Sequence, residues 1–226
     1  MSTNRLLKKL RLKKKKFITS EELEEYGKAL YYKYKNIIKY LISRGYLLKI
    51  VNGIYYIKSR EEFISNRINL TPLELISESL KLKDIQKWYF GLYTALTLNG
   101  IQNDHDMELF IINDHIFKRK PSKIDRYKLK FLILQSSLLN FGIIKNKVCY
   151  SDLEKTILDF IYLWKLSKRS NVEIIKDISE YLKYISKDKL INYSRHYPES
   201  NRKIFQKLIP NFKPTKLKKV SYFLRK

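Results

Sequence analysis

The chain has 226 residues, of which 44% are hydrophobic, and a formal net charge of +25. That length allows one or two domains with proper cores, and that apolar content excludes wholesale disorder. The single cysteine, Cys149, excludes an intrachain disulfide and fits a reducing compartment.

The charge is unevenly spread. Residues 1–58 hold 15 Lys/Arg against 4 Asp/Glu, residues 59–199 hold 23 against 18, and residues 200–226 hold 9 against none. Lys, Ile, Asn and Tyr are abundant throughout, as in chains from AT-rich genomes, but such a bias does not sort charge by region. The basic ends point to a polyanionic partner. The start, MSTNRLLKKLRLKKKK, is basic without a following apolar segment, so no secretory signal is expected. No apolar run approaches the ~20 residues that span a bilayer. A cytoplasmic protein with no membrane partner is the expectation.

Residues 5–16 predict a short helix with Leu6, Leu7 and Leu10 on one side, or else a solvated basic arm. The stretch from Phe17 to Ile57 is the most informative. Thr19 and Glu22 form a capping box for a helix expected to end at Gly27. A second helix is expected from about Tyr31 to Arg44, with Tyr34, Ile37, Ile38, Leu41 and Ile42 as its apolar stripe and Gly45 as its stop. Leu47–Val51 and Ile54–Ile57 are β-branched and aromatic runs joined by Asn52-Gly53, a strong hairpin signal. Helix, turn, helix, hairpin is the order of a winged helix-turn-helix.

Off the stripe lie Lys33, Lys35, Asn36, Lys39 and Ser43, residue types that contact phosphates and base edges in a major groove. Lys49 and Asn52 are at or near the tip of the wing. For the lysines alone, the competing explanation is an ordinary solvated helix face. Base stacking by Tyr31, Tyr32, Tyr55 and Tyr56 is a further possibility, but their spacing fits core positions better.

A domain boundary is expected near residue 59, and Leu70-Thr71-Pro72 opens a helix over about 72–83. Residues 86–101 (QKWYFGLYTALTLNGI) are apolar nearly all round and predict a buried helix ending at Gly100. Residues 107–112 and 127–135 read as strands, and 143–150 as a third strand or a tight hairpin. Ser151 and Glu154 predict a second capping box for a helix with Ile157, Leu158, Ile161 and Tyr162 on its face. From 172 to 210 the pattern is helical, and a basic tail follows. The fold class expected is α+β: residues 1–58 a winged helix-turn-helix domain, residues 59–226 a larger mixed domain ending in helices.

Chemistry has few candidates. Asp104 and Asp106 have the Asp-x-Asp spacing that nucleotidyltransferases use to hold Mg²⁺. They sit in a loop, however, and Phe90-Gly91-Leu92-Tyr93 upstream is a poor phosphate turn. His105, His115 and His196 are too scattered to make a zinc site with Cys149. Glu154, Lys155, Thr156 and Asp159 share a helix start. They read as a cap plus a surface ion pair in preference to a partner contact. No catalytic residue, no metal and no cofactor is expected, and no enzyme.

Three stretches together resemble the AbiEi-type antitoxins, transcriptional regulators of viral defence systems: TSEEL (19–23) with RGYLLKIVNGIYYI (44–57), WYFGLYTALTLNGI (88–101) and VCYSDLEKTILDFI (148–161). Their order and spacing agree over about residues 17–165. The resemblance implies a winged-helix DNA-binding domain joined to an antitoxin domain. It also implies repression at the protein's own promoter through double-stranded DNA with inverted repeats, and a nucleotidyltransferase-like toxin as partner. The residues leave two alternatives: a nucleic-acid or protein interaction module without promoter-specific repression, and a nucleotidyltransferase.

Overall fold

The structure is a computed structural model and describes residues 7, 8, 10, 15–29 and 34–208. Two compact units divide the chain: residues 1–86 with 122–127, and residues 87–121 with 128–226. The mixed α+β class holds, with a small sheet and helices first, then a mixed sheet, then helices.

The first unit is built on β1 (Phe17–Thr19), α1 (Ser20–Ala29), α2 (Tyr34–Ser43), β2 (Leu47–Val51) and β3 (Ile54–Ile57). The sheet order is β1-β3-β2, with β3 antiparallel to both neighbours. This is a winged helix-turn-helix with a third strand that sequence did not reveal, because three residues carry no readable period. The capping box stands as expected: Glu22 N–H donates to Thr19 Oγ1 (3.2 Å) and Thr19 N–H to Glu22 Oε2 (3.1 Å). Helix α1, by contrast, runs straight through Gly27. Interior glycine costs a helix about 1 kcal/mol, which the packing of Leu23, 1% exposed, and its neighbours offsets.

Leu7 and Leu10 are helical and buried with Ile18, Leu23, Ile37, Ile38, Leu41, Leu47, Tyr55 and Ile57. The basic start therefore contributes to the core, while Leu6 is outside the described residues. Ile42 departs from its expected place in the stripe and is 36% exposed. Tyr55 and Tyr56 are core residues, whereas Tyr31 and Tyr32 are outside the described residues. At Gly45 the backbone takes φ 74°, and Tyr46 N–H returns to Leu41 O (2.9 Å), a left-handed stop.

Past the wing come α3 (Arg60–Ser65) and α4 (Pro72–Leu82), each with a complete capping box, Ser59/Glu62 and Thr71/Glu74. Helix α4 packs on β2 and β3. Glu62, 2% exposed, accepts from Tyr56 hydroxyl (2.8 Å), Asn69 N–H (2.7 Å) and Ser59 N–H (2.9 Å). It ties the wing to the helices that follow it.

The second unit contains β4 (Trp88–Phe90), α5 (Leu92–Leu98) and β5 (Glu108–Asn113). The single helix expected over 86–101 is thus a strand and a shorter helix. Strand β4 lies between two neighbours, antiparallel to β5 and parallel to a later strand. A strand covered on both faces is as apolar all round as a buried helix. After β6 (Ser122–Ile124), which is counted with the first unit, come β7 (Tyr127–Ile133), β8 (Ile143–Lys145) and β9 (Cys149–Ser151). The order in this unit is β7-β5-β4-β9-β8, with β8 and β9 the tight hairpin anticipated at 143–150.

Four helices follow: α6 (Leu153–Leu166), α7 (Asn171–Ser179), α8 (Lys187–Ser194) and α9 (Glu199–Leu208). At the start of α6 the cap is Asp152, which accepts Lys155 N–H (2.9 Å), and not Ser151. Glu154 reaches away to Ser186 N–H (2.8 Å), so the expected Ser151–Glu154 box does not form. Lys155 and Asp159 pair, but both are wholly buried, so the pair is not on the surface. The tail beyond 208 is outside the described residues.

Candidate nucleic-acid interface

The outward face of α2 follows from its inward one. At about 100° per residue, Ile37, Ile38 and Leu41 cover one arc, and all three are buried. The opposite arc centres on Lys39, Ser43 and Asn36, with Lys35 to one side, and all four are exposed. Ser43 Oγ donates to Tyr40 O (2.9 Å), which leaves its oxygen as an acceptor. Lys33 is outside the described residues.

Two further residues extend this face. Tyr40 is 40% exposed, and the Arg44 guanidinium stands 5.7 Å above its ring. In the sequence, Arg44 reads only as a helix end, and Tyr40 is not singled out. Their four-residue spacing from Asn36 carried the signal.

Register places Lys49. It stands opposite Tyr55, as Leu47 stands opposite Ile57. Directly opposed residues share a sheet face, and Leu47, Tyr55 and Ile57 all belong to the core beneath α1 and α2. Exposed Lys49 is therefore on the helix-turn-helix side of the wing, at the edge strand. Asn52 is exposed in the turn, where Gly53 takes φ 82° and its carbonyl accepts Ser20 N–H (2.8 Å). The wing is short and pinned to the start of α1. A Cβ on Gly53 would lie 3.8 Å from Lys83 Nζ, so the exposed Lys83 ammonium also stands at the turn. Sequence reasoning had placed residue 83 in another domain.

The cations on this face, Lys35, Lys39, Lys49 and Lys83, make no ion pair among the described residues. Three acids of the first unit pair with other lysines, Glu22 with Lys15, Glu24 with Lys28 and Glu78 with Lys81, whereas Glu21 at the start of α1 feels the charge of Lys83. Burial pushes the Glu62 carboxyl up, but the Asn69 and Ser59 amides and the Tyr56 hydroxyl outweigh it and hold the carboxyl below its ordinary range. It stays an anion that braces the wing from inside.

The other candidate groups are dispersed. Asp104 and Asp106 are exposed in the loop before β5. Glu108, on that strand, is held by Lys130 (2.7 Å) and His105 (3.0 Å). Burial raises its pKa, and these two partners more than reverse the effect. His105 stacks on Tyr93, His115 pairs with Asp114, and His196 stacks on Phe141. Among the described residues no three His, Cys, Asp or Glu side chains cluster in a way that would hold a metal ion, and no helix is long and apolar enough to cross a membrane.

No protein family model matches the chain, and no curated protein matches it. Among solved structures, its fold is similar to that of the Rv2827c protein from Mycobacterium tuberculosis, with a TM-score of 0.57 at 12% identity, over 94% of this chain and 77% of that one. At that identity the likeness is one of fold, and it spans both units.

Proposed function

We propose that the chain is a DNA-binding transcriptional repressor. It acts at its own promoter and serves as the antitoxin against a nucleotidyltransferase-like toxin, without catalysis of its own. The observation that carries the DNA-binding half is the exposed Lys35-Asn36-Lys39-Ser43 face of α2, backed by buried Ile37, Ile38 and Leu41. Phosphate contacts from the lysines position the helix, and Asn36 presents the amide that pairs with an adenine edge. Lys49 and Asn52 add the wing. The antitoxin half is supported by the resemblance of residues 17–165 to AbiEi-type antitoxins.

The test of the first half is a gel shift with duplex from the region upstream of the coding sequence, against RNA of equal length. Lys35→Ala with Lys39→Ala is expected to lower the slope of log affinity against log salt by about two. An unchanged slope would remove α2 from the interface. Equal or tighter binding to RNA would leave an interaction module in place of a repressor. For the second half, the neighbouring reading frame is expected to encode a nucleotidyltransferase-like protein whose expression alone arrests growth, and co-expressing this chain should restore it. Continued arrest sinks the antitoxin role.

A further inference from the structure

One stretch of the middle of the chain stands apart in charge. Residues 118–128 (KRKPSKIDRYK) hold six Lys/Arg and one Asp. Residues 59–199 as a whole hold 23 Lys/Arg and 18 Asp/Glu. Without residues 118–128 that region has 17 cations and 17 anions. All of its excess positive charge is therefore in eleven consecutive residues, too local to be a compositional bias.

The fold gives part of this stretch an address. Residues 122–127 belong to the same compact unit as the helix-turn-helix, although 35 residues of the other unit come between them in sequence. Strand β6 lies against β2, the edge strand of the wing that carries Lys49. Ile124 anchors it, 1% exposed, while Lys123 and Arg126 on either side are exposed. Asp125 takes φ 51°, a tight left-handed turn that puts Arg126 just beyond the strand. Arg126 rests on the Tyr127 ring at 5.2 Å. Neither Lys123 nor Arg126 is within ion-pair distance of a carboxylate among the described residues.

We propose that Lys123 and Arg126 are a second backbone-contacting element beside the wing, which holds phosphates of duplex DNA flanking the segment read by α2. The proposal rests on the DNA-binding reading above and deepens it. Both side chains are cations with no ion pair among the described residues, although Arg126 donates to Tyr127 hydroxyl (3.2 Å), on a short, anchored segment next to a strand of the reading unit. Such groups add affinity through counterion release and carry no sequence information.

The experiment titrates the full chain with its upstream duplex, with a scrambled duplex and with RNA of equal length, at several salt concentrations. Lys123→Ala/Arg126→Ala is expected to reduce the salt slope by about two. Between about 50 and about 200 mM salt, wild type then loses roughly tenfold more affinity than the variant. Preference for the upstream duplex over the scrambled one stays the same. Lys123→Glu/Arg126→Glu weakens binding further, with the circular dichroism spectrum and melting temperature unchanged for both variants. A wild-type slope in the alanine variant overturns the proposal and leaves the α2 reading standing. Loss of sequence preference also overturns it, because the residues would then read bases. If wild type binds no duplex at all, both readings fall. If the variant weakens only RNA binding, the element serves RNA instead and the proposal is wrong.

Discussion

Lys155 and Asp159, one turn apart on α6, form an ion pair of 2.9 Å in which neither side chain has any solvent exposure. Asp159 accepts Tyr89 hydroxyl (2.7 Å) and Tyr197 hydroxyl (2.6 Å), and Lys155 Nζ donates to Tyr197 Oη (2.9 Å). The ammonium also lies over the rings of Phe141 (4.7 Å), Tyr89 (5.1 Å) and Tyr197 (5.4 Å). Burial first, and then the Asp159 charge, push both tyrosine hydroxyls well above their ordinary range, so they remain donors. The cluster joins β4, α6 and the turn before α9 through polar groups that are all satisfied. Removing one member of such a pair leaves an uncompensated charge in the core.

Asp159→Asn is accordingly expected to destabilise the second unit by about 3–5 kcal/mol. Lys155→Met with Asp159→Leu removes both charges and should recover much of that loss. Both tryptophans, Trp88 and Trp164, are in this unit, so urea unfolding followed by tryptophan fluorescence reads it selectively. A single variant as stable as wild type would show that the pair does not hold the core.

Glu62 makes the first unit sensitive to acid. Its folded carboxyl titrates below the ordinary value, burial being outweighed by the Asn69, Ser59 and Tyr56 donors. A depressed carboxyl contributes stability that is fully present above its unfolded pKa and is lost as pH falls through the folded one. Tyr56→Phe should cost about 1.5–3 kcal/mol at neutral pH. It should also move the acid loss to higher pH, because one of the groups holding Glu62 ionised is gone. Urea unfolding followed by far-ultraviolet circular dichroism between about pH 3 and 7 checks both. An unshifted acid limb would place the sensitivity elsewhere.

At Gly45, with φ 74°, a Cβ would meet only Phe63, at an ordinary 3.9 Å. The cost of Gly45→Ala is therefore conformational, about 1–2 kcal/mol, and Gly45→Asn should cost less because asparagine tolerates the left-handed region. Thermal melting of the three proteins gives the order. Equal melting of the alanine and asparagine variants would point to packing instead.

Asn36 and the lysines beside it are expected to separate in their effects on DNA. Asn36→Ala should leave the salt slope unchanged and cost about 1–3 kcal/mol of discrimination at one base pair. A panel of single-base duplex variants locates it. If discrimination survives at every position, Asn36 only faces solvent.

Of the interface, the α2 part was readable from the sequence because helical period separates two faces within ten residues. Ile37, Ile38 and Leu41 mark the buried face, and the polar face follows by subtraction; Ile42, on the border between the two arcs, was misplaced, and the Tyr34 side chain is outside the described residues. The Asn52-Gly53 turn was readable because its chemistry is local. Strand β4 was not, since burial of Tyr89 and Phe90, which point to opposite faces, erases the alternation that identifies a strand. The Lys155–Asp159 pair looked like surface because Lys and Asp one turn apart are usually solvated.

The basic residues concentrated before residue 58, the capping boxes and the α2 stripe are local properties of the chain, and they suffice to outline a winged helix-turn-helix. Three things were decided only by tertiary structure. Strand β1 pairs with β3 across the two helices, Lys49 takes the helix side of the sheet through its register with Tyr55, and β6 with Lys123 and Arg126 comes to rest beside β2. Each depends on contacts between segments distant in sequence, whose partners no local period records. The stretch from Phe17 to Ile57 thus supplies the exposed polar face of α2 and the short wing. The width of the basic surface around that wing depends on residues more than sixty positions farther along the chain.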